Sequence, residues 1–231
     1  MPAALVLEEP LERLTLGERA YARIADLLIS GRLAPGEKLS LRGAAEVLGV
    51  SIMPVRAAVS RLVADRALEV APNRAIRVPV MSAAQFRDIT ATRIAIEGHA
   101  AALAAEHRSE DDLPAIAAAA EKAMRAESLS DTPDLPLAVE VNKQFHFAVY
   151  QAAKSPTLVG IIRALWLKVG PVINLDLREN PERIYTGGAV RFHAEILDAI
   201  IKRDPEKARA GVAADIKGAS DFILSRGNLP D

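Results

Sequence analysis

The stretch that most constrains this chain is residues 31–65, GRLAPGEKLSLRGAAEVLGVSIMPVRAAVSRLVAD. It reads as two short helices joined by a tight turn at Leu48-Gly49-Val50-Ser51. Ser40 and Ser51 stand where N-caps belong, each able to accept a first-turn backbone N–H. Pro54 falls in the first turn of the second helix, where an amide has no intrahelical partner to lose. At about 100° per residue, Val55, Val59 and Leu62 share one face of that helix, with Met53, Arg56, Ala57 and Ser60 opposite. A helix buried on one side, with a cation and small polar groups on the other, suits a DNA major groove. An ordinary αα-hairpin inside a bundle carries the same pattern.

Two short β-branched runs follow, Ala67-Leu68-Glu69-Val70 and Ile76-Arg77-Val78-Pro79-Val80, around Pro72-Asn73-Arg74. They predict a β-hairpin with a basic tip. A helix-turn-helix followed by such a hairpin is a winged helix, and Arg74 and Arg77 on the wing can reach phosphates or a minor groove. The segments ARIADLLISGRLAPGEKL and LSLRGAAEVLGVSIMPVRAAVSRL also resemble the DNA-binding domain of the GntR family of bacterial transcription regulators. The resemblance covers roughly residues 14–80 and rests on PGxxL, the LGVS turn and PVR in order. It implies a DNA-contacting set of Arg42, Ser51, Met53, Arg56, Arg74 and Arg77. The chain departs from the family at Gly43 and Ala57 (usually Glu), at Ala67 and Ala75 (usually Gly) and at Ile52 (often basic). Those departures bear on base preference and wing geometry.

A length of 231 residues fits about two domains, expected at 1–80 and 81–231. The absence of cysteine excludes a disulfide framework and a thiolate metal site. No basic segment precedes an apolar core at the N-terminus, and no run approaches the ~18 apolar residues of a membrane span. A cytoplasmic protein without membrane contact is expected. Residues 30–80 hold eight Lys/Arg against four acids, a balance of +4, while the whole chain is −1, which leaves −5 for the rest. The positive charge therefore sits with the DNA-binding motif. So modest a charge argues for two copies binding together, a homodimer on a near-palindromic operator.

Beyond Pro79 the chain is rich in Ala, Leu and Ile with helical periodicity. Helices are expected near 82–107, 110–128, 135–152, 156–169, 187–202 and 205–225, with 171–186 as a short helix plus loop. Breaks are expected at Pro114, at 130–133, at Ser155-Pro156, at Gly170-Pro171 and at Asn180-Pro181. The fold class is therefore mostly α: an N-terminal winged helix-turn-helix with a small β-hairpin wing, then an all-α bundle.

Polar residues interrupt the apolar stripes of that bundle. Arg93 lies among Phe86, Ile89, Ile96 and Ala100. Asn142 and His146 share a stripe with Ala138, Phe145 and Val149; His193 lies among Ala189, Ile196, Leu197 and Ile200; Asp215 lies among Ala208, Gly211, Ala219 and Phe222. Buried, such groups need partners. Each has a structural explanation on its own: a hydrogen-bonded core histidine, or an Arg93–Glu97 pair at i,i+4. Together, two imidazoles, a carboxylate and an amide oxygen make an N2O2 set for a divalent metal. An arginine beside it can take a carboxylate through two N–H groups.

Residues 82–225 resemble the FCD ligand-binding domain of the FadR-type branch of GntR regulators. Arg93 with Glu97 matches its R-x3-E, NKQFH at 142–146 its [D/N]-x3-H, and His193 its second histidine. Metal-binding members usually carry a third histidine 22 residues after the second, the position of Asp215 here. The resemblance implies zinc, nickel or manganese on Asn142, His146, His193 and Asp215, and a small carboxylate effector held by Arg93, Glu97, Asn142, His146 and His193. It also implies a regulator, commonly a repressor, whose operator affinity the effector controls. Two other classes compete. A metal-dependent hydrolase lacks a further placed acid or base and has no use for a winged helix. A metabolite sensor without DNA binding would need Ile52 and the missing wing glycines to have abolished contact.

Overall fold

The computed structural model describes residues 15–128, 134–179 and 188–231. Helix α1 (Leu16–Ile29) opens on a capping box in which Thr15 Oγ1 accepts from the Glu18 amide and the Glu18 carboxylate accepts from the Thr15 amide. Helix α2 (Leu41–Leu48) starts at Ser40, whose hydroxyl accepts from the Gly43 amide at 3.2 Å, and stops at Gly49 with φ of 65°. A left-handed residue is what lets the chain leave the helix so abruptly. It turns by 119° into α3 (Ile52–Ala64), in the range of a helix-turn-helix. The cap expected of Ser51 is not made: its backbone is extended, as an N-cap requires, but its side chain bonds no helix amide and stays exposed. Val55, Ala58, Val59 and Leu62 of α3 are buried, in one cluster with Ile24 and Leu28 of α1.

The sheet has three strands, β1 (Lys38–Leu39), β2 (Glu69–Val70) and β3 (Ile76–Arg77), antiparallel in the order β1-β3-β2. Lys38 pairs with Arg77 on one side of β3, and Glu69 with Arg77 on the other. β1 went unread in the sequence because two residues carry no period. The wing strands are also shorter than the expected runs. Ala67 and Leu68 are buried, and their amides go to the Leu62 carbonyl at the end of α3 instead of to a ladder.

The rest of the described chain is helical: α4 (Ala83–His107), α5 (Asp112–Ser128), α6 (Leu135–Ala152), α7 (Pro156–Glu179), α8 (Ala189–Ile201) and α9 (Pro205–Ser225). α4 is the central helix, packed against α6, α7, α8 and α9, while α5 lies on α6 and α8. Pro114 falls in the first turn of α5, where it begins the helix rather than breaking it. The breaks expected at 130–133 and at Asn180-Pro181 lie outside the described residues.

α7 is the main departure. The sequence predicts an end at 169, but the helix runs through Gly170 and a buried Pro171 to Glu179. Read as one helix, Pro156–Leu177 has a mean hydropathy of 1.5, long and apolar enough to cross a membrane. That corrects the expectation of no such run. Half of the stretch is buried inside the molecule, the environment of a core helix. Part of that burial is against α1, which packs on α7. A single apolar cluster continues from Ile24 and Leu28 through Phe147 and Trp166 to Ile196 and Ile216.

Candidate functional site

Five helices converge on a partly open cavity, α8 through Ala189. α4 supplies Arg93; α6 supplies Ala138, Asn142 and His146; α7 supplies Trp166, Gly170 and Asn174; α9 supplies Asp215 and Ala219. His146, His193 and Asp215 bring one ligand atom each within 4.8 Å of one another. His146 Nε2 lies 3.2 Å from Asp215 Oδ2, and the two imidazole rings pack edge-on with centroids 5.3 Å apart. Helical spacing explains the convergence, since each residue sits mid-helix on the inward stripe of its own element.

Behind these groups is a buried hydrogen-bond hub. Glu97 has no exposed surface. It accepts from Arg93 Nε at 2.6 Å and Nη2 at 3.3 Å, from the Tyr150 hydroxyl at 2.6 Å and from Trp166 Nε1 at 3.0 Å. Burial first, and then the charge of Glu97, push the Tyr150 phenol far above its ordinary value, so it keeps its proton. That proton goes to Glu97, so the Tyr150 oxygen accepts from His146 Nδ1 across 3.1 Å. His146 is thereby fixed as the Nδ1–H tautomer, with Nε2 aimed at Asp215.

This geometry fits a divalent cation. An imidazole lone pair and a carboxylate oxygen 3.2 Å apart repel unless a cation or a proton lies between them. Two ligands each about 2.0–2.2 Å from one zinc, at ordinary coordination angles, are separated by roughly 3 Å. Burial pushes His193 down to about 4, against the pull of Asp215, so its imidazole is neutral near pH 7. Burial on its own would raise the Asp215 carboxyl, but hydrogen bonding to His146 in its protonated form and the nearby positive charge, that of Arg93 included, hold it below its ordinary value. A neutral imidazole and an ionised carboxylate are the forms a metal takes.

The residues expected at the site thus divide. His146 and Asp215 are on the cavity wall and His193 stands beside them; Asn142 and Arg93 line the same space. Glu97 does not line it. Its carboxylate oxygens are occupied by Arg93, Tyr150 and Trp166, so it orients the site rather than meeting a ligand, which corrects its place among the effector contacts. Tyr150, Trp166 and Asn174 were not anticipated. Tyr150 was legible in principle, being one turn beyond His146 on the same stripe, whereas Trp166 and Asn174 needed the path of α7.

In the helix-turn-helix, Arg42, Ser51, Met53 and Arg56 are exposed on α2, the turn and α3. Arg61 stacks on Tyr21, 4.4 Å from the ring centre. At the wing, Arg77 Nε is paired with Glu69 at 2.5 Å. Arg74 is exposed at the tip with φ of 62°, a conformation that costs a non-glycine residue free energy.

Residues 88–218 match the FCD domain, and residues 16–78 match bacterial regulatory proteins of the gntR family. The chain is 38% identical over 163 residues to the HTH-type transcriptional regulator McbR of Escherichia coli (strain K12), covering 67% of this chain and 72% of that protein. It is 28% identical over 230 residues to the HTH-type transcriptional regulator YcbG of Bacillus subtilis (strain 168), covering 94% and 93%. The solved structure of E. coli McbR/YncC superposes with a TM-score of 0.85 at 30% identity, covering 94% of this chain and 100% of that one. A GntR transcriptional regulator from Rhodococcus sp. RHA1 shares the fold, with a TM-score of 0.71 at 22% identity over 90% of this chain and 97% of that one. The chain belongs to the gntR family of bacterial regulatory proteins, in the FadR-type branch that carries an FCD domain, and it is a transcription regulator rather than an enzyme.

Proposed function

We propose that this chain is a cytoplasmic repressor that binds a near-palindromic operator as a homodimer through residues 1–80. Residues 81–231 bind a small carboxylate together with zinc, nickel or manganese, and that binding lowers operator affinity. The observation that carries this reading is the His146–His193–Asp215 cluster beside a cavity that also holds Arg93 and Asn142. These three residues would hold the metal, with Asn142 beside them. A bound metal supplies Lewis-acid attraction for a ligand oxygen, and Arg93 adds a cation for a carboxylate. The cavity, of about 80 Å³, is small beside the ~300–1,000 Å³ of drug-sized ligand pockets, which suits a compact acid. For the ligand to change operator affinity, it must favour one arrangement of the two halves over another.

Zinc titration of the full chain by calorimetry, after chelator treatment, tests the site. The wild type should bind zinc and His193→Ala should not. Tyr150→Phe should bind about 10–100-fold more weakly, because the tautomer of His146 is no longer fixed. Asp215→His should bind more tightly. If the wild type takes up no zinc and His193→Ala merely lowers the melting temperature, the histidines are structural and the reading is wrong.

For the DNA face, Arg56→Ala should cost about 1–3 kcal/mol of operator binding and relax base preference. Arg74→Gly should weaken binding to all sequences and flatten the salt dependence, with no loss of stability because glycine is at ease at that φ. Fluorescence anisotropy at several salt concentrations reads both. An unchanged affinity for Arg56→Ala removes that residue from the interface.

For assembly, the outward face of α7 supports pairing with a second copy. Ile161 is 46% exposed, Leu158, Leu165 and Lys168 flank it half-exposed at helical spacing, and a methyl at Gly160 would meet nothing. Sedimentation should show the wild type as a dimer and Ile161→Glu as a monomer at micromolar concentration. A dimeric Ile161→Glu protein would place the interface elsewhere.

A further inference from the structure

Asn174 belongs to two sites at once. It lines the cavity, and its carboxamide Nδ2 donates to the carbonyl of Ile29, the last residue of α1, at 2.7 Å. The side chain is buried. Carbonyls at a helix C-terminus lack intrahelical partners, so Ile29 relies on this bond from outside its own domain. Gly170, one turn earlier on α7, also lines the cavity. Its missing side chain is what lets α1 sit so close, because a Cβ there would lie 2.7 Å from the Ile29 carbonyl oxygen and 2.8 Å from that of Leu28. A single helix wall therefore separates the cavity from α1. α1 in turn is rigidly joined to the recognition helix. Ile24 and Leu28 share a core with Val55, Val59 and Leu62, and Tyr21 donates to Asp65 at the end of α3 at 3.0 Å.

We propose that Asn174 couples the cavity to the DNA-binding half, so that a group filling the cavity displaces its carboxamide, frees the Ile29 carbonyl and lets α1 and α3 move together. This rests on the cavity being the effector site. A ligand with an oxygen acceptor draws the Asn174 carboxamide, which has two N–H groups, away from Ile29, which makes Asn174 a contact that favours acids, amides and other carbonyl-bearing molecules.

The test needs no identified ligand, because a larger side chain can stand in for one. Hydrogen exchange is followed in the full-length protein at Gly31, Arg32 and Leu33, whose amides close the last turn of α1. Asn174→Ala should speed exchange there by about tenfold, the loss of one buried hydrogen bond, and leave α5 and α8 unchanged. Ala219→Leu, which fills the cavity from α9, should do the same in the wild type and add nothing in the Asn174→Ala background. Ala189→Leu serves if Ala219→Leu does not fold. Unchanged protection in Asn174→Ala, or effects of the two substitutions that simply add, would overturn the proposal. Failure of the site reading appears separately: the wild type would not bind zinc, while the effect of Asn174→Ala on α1 would stand.

Discussion

Replacing Glu97 by alanine should destabilise the protein by about 3–5 kcal/mol, the cost of leaving a buried guanidinium without its partner. Arg93 is 6% exposed and Glu97 is fully buried, so water reaching Arg93 from the cavity is a poor substitute for the lost carboxylate. Tyr150 and Trp166 lose their acceptor in the same substitution. At the low end of a total stability of about 5–15 kcal/mol, that is enough to leave much of the chain unfolded at growth temperature. Glu97→Gln should fall between, keeping the shape and one acceptor oxygen without the charge. Arg93→Met combined with Glu97→Leu should recover the part of the loss that comes from the unpaired charge, because a buried ion pair replaced by apolar groups is often near neutral, while Tyr150 and Trp166 still lack their acceptor. Urea unfolding of the four proteins decides the matter. If the double variant is as unstable as Glu97→Ala, the unpaired charge is not the cause.

The second large effect is expected at Gly170. Gly170→Ala should lose about 1–3 kcal/mol, an overpacking cost, even though alanine is the better helix former. The clash falls on the backbone of Leu28 and Ile29, at 2.7–2.8 Å, and backbone inside a helix cannot rotate out of the way. α1 must lift, which breaks the Asn174–Ile29 bond as well. Gly43→Ala is the control. Its Cβ would meet Ser40 at 3.5 Å, an ordinary contact, so it should be neutral or stabilising. Equal stability of Gly170→Ala and wild type would show that the two halves are not held tightly along this seam.

Much of the candidate site is legible in the sequence. Arg93, Asn142, His146 and Asp215 stood out because polar residues on apolar helical stripes are costly unless they serve one another, and helical spacing alone puts each on an inward face. The role of Glu97 was not legible. At i,i+4 it could equally have faced a ligand or Arg93. Only the approach of Tyr150 from α6 and Trp166 from α7 uses up its oxygens. Pro171 misled for a related reason. A Gly-Pro pair usually ends a helix, yet here burial of α7 against α4 and α1 outweighs one missing hydrogen bond. The cap at Ser51 was over-read, since a serine at an N-cap position can still turn its hydroxyl to water.

Local sequence by itself determined the helix-turn-helix, the basic wing and the order of the bundle helices, because caps, turn residues and apolar periodicity act over a few residues. The tertiary structure decided what those rules cannot reach: which carboxylate is consumed inside the protein, which tautomer His146 holds, and that one face of α7 closes the cavity while another seats α1. These depend on side chains from separate helices meeting in one buried place, where each polar group can be satisfied only by the others.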